Sequence, residues 1–147
     1  MASSTLTPLV RGMVAGAVGT LAMTLTERLE MSLTGRPASQ VPGQVGAALL
    51  LGSDPRSDAE VQRLNTPVHW AHGIAMGSLR SALDAAGIDG PAASAIHFAL
   101  LWGGDAALYV ALGITDVPWR WDAEALATDI LHKGVYAAVT GAVYDAL

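Results

Sequence analysis

The chain of 147 residues is one domain's length, with 52% hydrophobic and only 14% charged residues, against roughly 25% charged in an average soluble domain. So few charges cannot cover a water-exposed surface in the usual manner, and a mean hydropathy of +0.40 points to a non-aqueous neighbour. The formal charge of −5 gives no basic footprint for nucleic acid, and the absence of cysteine excludes disulfides, thiolate metal sites and a cysteine nucleophile.

Along the chain, Thr7-Pro8 opens a first helix, the hydroxyl as N-cap and proline in the first turn. This helix is expected over 8–33, stopping at Thr34-Gly35 ahead of Pro37. Gly12, Gly16 and Gly19 with Ala15 and Ala17 give it a small-residue face of the kind that lets helices approach closely in lipid, and that face also suits a second copy of the chain in a homodimer. Nothing basic precedes Arg11 and no small-residue cleavage site follows 14–23, so the segment reads as a helix that stays rather than a signal peptide.

Residues 34–65 collect Pro, Ser, Gln and most of the loop charges, and are expected to form a long connection with two short helical pieces, 43–51 and 55–64, the second behind an Asp54 cap. Asn65-Thr66-Pro67 then starts a second helix over 66–86. Asp89-Gly90-Pro91 turns the chain into a third helix over 91–114. After Pro118, Trp119 and Trp121 suit a membrane interface, and Asp122 caps a fourth helix over 123–147. The fold class expected is all-α, a four-helix up-and-down transmembrane bundle forming a single helical membrane domain.

The helices are long enough to span a bilayer, which takes about 20 residues, but none is free of charge over 18 residues. Arg28, Arg36, Arg56, Arg63 and Arg120 fall on the long-loop side and only Arg11 and Arg80 on the other, so the long loop is expected to be cytoplasmic. The expected location is a bacterial inner (plasma) membrane, crossed several times, with membrane lipid as the surrounding partner.

Depth identifies the candidate site. Counted at about 1.5 Å per residue from the long-loop end, Glu27, His69, His72, Asp105, Asp129 and His132 fall in one layer roughly 5–14 Å below the boundary. Four separate helices supply it. On the last helix Asp129, His132, Lys133, Tyr136 and Thr140 share a stripe, as do Thr20, Thr24 and Glu27 on the first. His97 and Arg80 fall nearer the opposite boundary and read as a separate pair; Asp145 reads as solvated.

Ionisable residues at membrane depth cost about 2.5–3.5 kcal/mol each on insertion scales, so they tend to be paired and functional. A carboxylic acid in an apolar site with an imidazole or ammonium beside it can donate and accept protons. The set Glu27, His69, His72, Asp105, Asp129, His132 and Lys133 therefore reads as catalytic: an acid–base chamber for an isomerase- or cyclase-like reaction on a lipophilic small molecule, or a binder of one. Other readings share the same residues: a structural or assembly subunit of a membrane complex, a metal-binding protein, or a proton relay. His69-x-x-His72 and Asp129-x-x-His132 place two ligands on one helical face, but the Glu-x-x-His pattern of bundle-core di-iron sites is absent, so no metal and no cofactor are expected.

Several phrases are similar to a group of small bacterial membrane proteins of unknown function: GMVAGAVGTLAMTLTE at 12–27, GRPASQVPG at 35–43, VHWAHGIAMG at 68–77 and DILHKGVYAAVTG at 129–141. The resemblance implies a four-helix membrane protein and brings no activity with it.

Overall fold

In the computed structural model, which describes residues 7–52 and 57–147, all regular structure among the described residues is helical. Helix α1 spans Pro8–Thr34, α2 spans Val41–Gly46 and widens into a π-helical turn at Ala47–Leu51, α3 spans Asp58–Ala85, α4 spans Gly90–Ala111 and α5 spans Ala123–Ala146. A single 3₁₀ turn, Pro118–Arg120, interrupts the connection from α4 to α5. The four long helices run alternately up and down. Helix α1 packs between α3 and α5, α4 packs mainly on α5, and α3 and α4 meet more loosely; α2 lies on α3.

Local chemistry sets the ends. Thr7 caps α1 and Gly35 ends it in the left-handed region at φ 74°, its N–H donating to Met31 O. Asp122 caps α5 by accepting from Ala125 N at 2.8 Å. Helix α4 stops at Ala111, three residues short of the expected 114, because Gly113 closes a Schellman turn in which Ile114 N–H donates to Tyr109 O at 2.9 Å.

The expected break before Pro67 is corrected. Helix α3 begins at Asp58 behind a Ser57/Glu60 capping box and runs through Pro67, so the pieces expected at 55–64 and 66–86 are one helix. Proline removes one intrahelical hydrogen bond and ordinarily kinks or ends a helix. Here tertiary contacts hold the first turns: α2 lies against Val61, and Asn65, read from the sequence as a helix start, binds the loop from within the helix. The expected Asp54 cap and the Pro55 start lie outside the described residues.

Glycines make the central contacts. A Cβ on Gly77 would run into the Gly12 carbonyl, one on Gly16 into Gly73 and Gly77, and one on Gly73 into the Thr20 side chain. Two helices with side chains at these positions could not approach so closely. The small-residue face of α1 thus lies inside the bundle, Gly12 and Gly16 against α3 and Gly19 against α5.

The polarity is inverted relative to a water-soluble bundle. Fully or nearly buried positions include Arg80, His97, Asp105, His132, Lys133, Thr20 and Thr140, whereas Val18, Leu21, Leu25, Leu29, Leu100, Ile130 and Leu131 are exposed. Over 12–27, 68–83, 91–111 and 125–144 no exposed position carries an ionisable residue.

Candidate functional site

A cavity of about 670 Å³ opens at the long-loop end of the bundle, and all seven residues singled out from the sequence line it: Glu27 from α1, His69 and His72 from α3, Asp105 from α4, and Asp129, His132 and Lys133 from α5. The helical repeat explains the convergence, since each residue falls on the inward face of its helix at similar depth. Apolar and aromatic wall comes from Met23, Trp70, Leu101, Leu108 and Tyr109. The loop folds over this end, with Val41, Pro42 and Val45 of the α2 segment also in the lining.

Asp105 and Lys133 organise one side. Lys133 Nζ lies 3.3 Å from Asp105 Oδ2 and 3.1 Å from Asp129 Oδ1, and 5.1 Å from the centre of the Tyr109 ring. His72 Nε2 is 3.0 Å from Asp105 Oδ1, a close contact that is not aligned as a linear hydrogen bond. One ammonium therefore serves two carboxylates from different helices. A shared buried pair of this kind carries the stabilising hydrogen bonds that isolated buried charges lack.

The opposite wall is built differently. Thr24 Oγ1 lies 2.8 Å from Thr20 O and 3.0 Å from His69 Nε2, its one hydrogen directed to the carbonyl when the imidazole carries the Nε2 proton and to the ring nitrogen when it does not. Glu27 has no cation within 4 Å among the described residues, and His132, only 5% exposed, presents an Nε2 without a partner. Glu27 and His132 are each other's leading electrostatic neighbour across the α1–α5 interface.

At the rim Arg36 pairs with Glu30 through Nη2 at 2.7 Å and Nε at 3.1 Å. The hydrogen-bonded carboxylate raises the guanidinium pKa further above its ordinary value. Arg120 pairs loosely with Asp116 at 3.8 Å. Asn65 fastens the loop to α3, accepting from Gly43 N at 2.8 Å and donating to Ser39 O at 2.9 Å.

Beneath the cavity Tyr136 donates to Gly73 O at 2.6 Å, and His97 Nε2 donates to Met76 O at 3.1 Å. The expected Arg80–His97 pair is not formed. Arg80 is fully buried and its partner is Asp145, which is half exposed as expected but paired; the Tyr144 ring lies between Arg80 and Arg11, 4.6 and 4.2 Å from the two guanidinium carbons. A guanidinium reaches across a helix interface to a carboxylate near the end of α5, so the helical face of the Asp145 backbone does not decide its partner.

Sequence reasoning missed Asn65 and Tyr109 as parts of the site. Asn65 could be recognised only once the helix was seen to continue past it. Tyr109 carried a signal, since it stands four residues after Asp105 and so on the same helical face. Among the described residues no three of the imidazoles and carboxylates converge as metal ligands. No family model matches the chain, and neither a curated protein nor a solved structure matches it.

Proposed function

We propose that the protein is a membrane-embedded chamber that binds a lipophilic small molecule and moves protons on it with the carboxylates and imidazoles of its inner wall. The observation that carries this reading is the pairing of an apolar, uncharged outer belt with one cavity to which four helices bring the seven carboxylate, imidazole and ammonium side chains singled out from the sequence. The shortest belt segments, 12–27 and 68–83, are about 24 Å tall at 1.5 Å per residue, close to a hydrocarbon core of about 30 Å. By length and hydropathy one helix among the described residues, Pro8–Thr34, qualifies as a membrane span. The other long helices fall short because their ionisable residues lower the average, and in the belt those residues face inward or sit partly covered rather than facing lipid.

For chemistry, the Lys133–Asp105–His72 group supplies a connected donor and acceptor set, and Glu27 with His132 supplies a second carboxylate and imidazole across the cavity. Such an arrangement suits proton removal at one atom of a substrate and delivery at another, as an isomerase or cyclase requires. A second reading, a purely structural brace in a membrane complex, is favoured by the mutual pairing of Asp105, Lys133 and Asp129.

The two readings part on Asp129→Asn. The protein is extracted in mild detergent and examined by native mass spectrometry for a co-purifying small molecule, with thermal melting alongside. A chamber gives a lipophilic adduct that Asp129→Asn loses while the melting temperature holds. A sharp fall in melting temperature, with no adduct in either protein, identifies the brace. Protein leaving the cell in the soluble fraction without detergent overturns the membrane setting.

A further inference from the structure

The charges around the cavity divide into two zones. At the rim Arg36 pairs with Glu30 and Arg120 with Asp116, and Arg28 and Asp122 also line the opening. Inside, Glu27, Asp105 and Asp129 face a single ammonium, Lys133, which both aspartates already share. Three carboxylates against one ammonium leave two negative charges when the imidazoles are neutral, and one if a single imidazole is protonated. A carboxylate in an apolar surround is stable as an ion only with a cation beside it. Glu27 has none within 4 Å among the described residues.

A second observation falls at the same place. His132 is 5% exposed, lines the cavity and has an Nε2 without a hydrogen-bond partner; its leading electrostatic neighbour is Glu27. A buried polar atom left unpaired costs about 1–3 kcal/mol, so a group that fills it is favoured. The missing partner has to satisfy an anionic oxygen and a ring nitrogen together, and an N–H-bearing cation does so while also supplying the positive charge that Glu27 lacks. Trp70, Tyr109 and Trp121 add aromatic lining, which attracts cations as well as apolar bodies.

Resting on the chamber reading above, we propose that the occupant is a lipophilic amine in its protonated form. Its ammonium N–H donates to the Glu27 carboxylate and to His132 Nε2, and its apolar body lies against the aromatic wall. Lys133 works as a fixed counter-charge between Asp105 and Asp129.

The test uses three compounds with one skeleton and different heads: 4-phenylbutylamine, 4-phenylbutanol and 4-phenylbutyrate. Each is titrated calorimetrically into the full chain in mild detergent at pH 7, with empty micelles as the blank. A charge-assisted hydrogen bond predicts that the amine binds about tenfold or more tighter than the alcohol and that the carboxylate does not bind. Glu27→Gln should bring the amine to the affinity of the alcohol. Equal binding of amine and alcohol, or preferred binding of the carboxylate, overturns the amine proposal while leaving a chamber in place. Failure of all three overturns the chamber reading itself. Should Glu27→Gln fail to fold, the ranking of the three heads on the unaltered protein decides alone.

Discussion

Lys133 is the residue on which the candidate site depends most directly. Its ammonium is 10% exposed and bonded to carboxylates from α4 and α5. Replacing it with methionine keeps the volume and removes the charge, leaving Asp105 and Asp129 facing each other without a cation. Breaking a buried pair from one side costs about 3–5 kcal/mol. Because Asp129 is about a third exposed and regains water, a loss near the lower end is expected, read as a fall in the detergent melting temperature. Lys133→Met combined with Asp105→Asn should recover part of that loss, because the second change removes the stranded charge. A double variant no more stable than the single one would show that the network is not coupled as the distances imply.

Arg80 and Asp145 make the same argument at the other end of the bundle. Arg80 is fully buried, its Nε and Nη1 have no hydrogen-bond partner, and Asp145 is its ion-pair partner. Asp145→Ala strands a buried guanidinium and should destabilise the fold by about 1–3 kcal/mol, short of a fully buried pair because the carboxylate itself is half exposed. Ligand binding at the distant cavity should survive at a temperature where the variant is folded. A melting curve and one titration on the same preparation check both statements.

At the scale of elements, the contacts between helices are set by where side chains are missing. Gly77 faces the Gly12 backbone at the α1–α3 crossing, so Gly77→Ala forces two main chains apart. Gly104, on α4, has open space around its missing Cβ. Alanine there removes only the entropic penalty of glycine in a helix, so Gly104→Ala should be neutral or stabilising by up to about 1 kcal/mol, whereas Gly77→Ala should lower the melting temperature markedly. The pair of variants distinguishes close packing from helix propensity, and equal effects would refute the crossing geometry.

The elements also show what was legible beforehand. Depth along a helix and face around it are local quantities, fixed by rise and turn per residue, and they sufficed to bring Glu27, His69, His72, Asp105, Asp129, His132 and Lys133 to one cavity from sequence alone. The ends of α1 and α5 were legible for the same reason, since Thr7, Gly35 and Asp122 act within one turn. The passage of α3 through Pro67 was not. It depends on α2 and Asn65 holding the first turns, a contact between segments more than 20 residues apart. The Arg80–Asp145 pair escaped because a long side chain does not stay on the face of its own Cα. The small-residue face of α1 was recognised, but which helices cover it within the bundle, α3 and α5, is decided by the whole arrangement.

For the whole molecule the decisive question is what covers the outer surface. Leu21 is 48% exposed near the middle of α1, and Val18 and Leu25 lie on the same helix at 39% and 57%. In water an outward leucine is replaceable, and Leu21→Lys would be expected to change stability by less than about 0.5 kcal/mol and to improve solubility. In a bilayer the same ammonium lies near mid-depth on the lipid side, about 20 Å along α1 from Pro8, with no partner on that face. Insertion scales put the cost at about 2.5–3.5 kcal/mol, enough to shift a marginal helix out of the membrane. Leu21→Lys should therefore reduce the carbonate-resistant membrane fraction and expose the long loop or the α3–α4 turn to protease on the wrong side. Lysine at position 33, where Leu33 is 78% exposed at the end of α1, serves as the matched control because a side chain there can reach the interface. Normal membrane integration of both variants would remove the basis for an apolar surround, and the inverted polarity of the bundle would then require a protein partner covering the same belt.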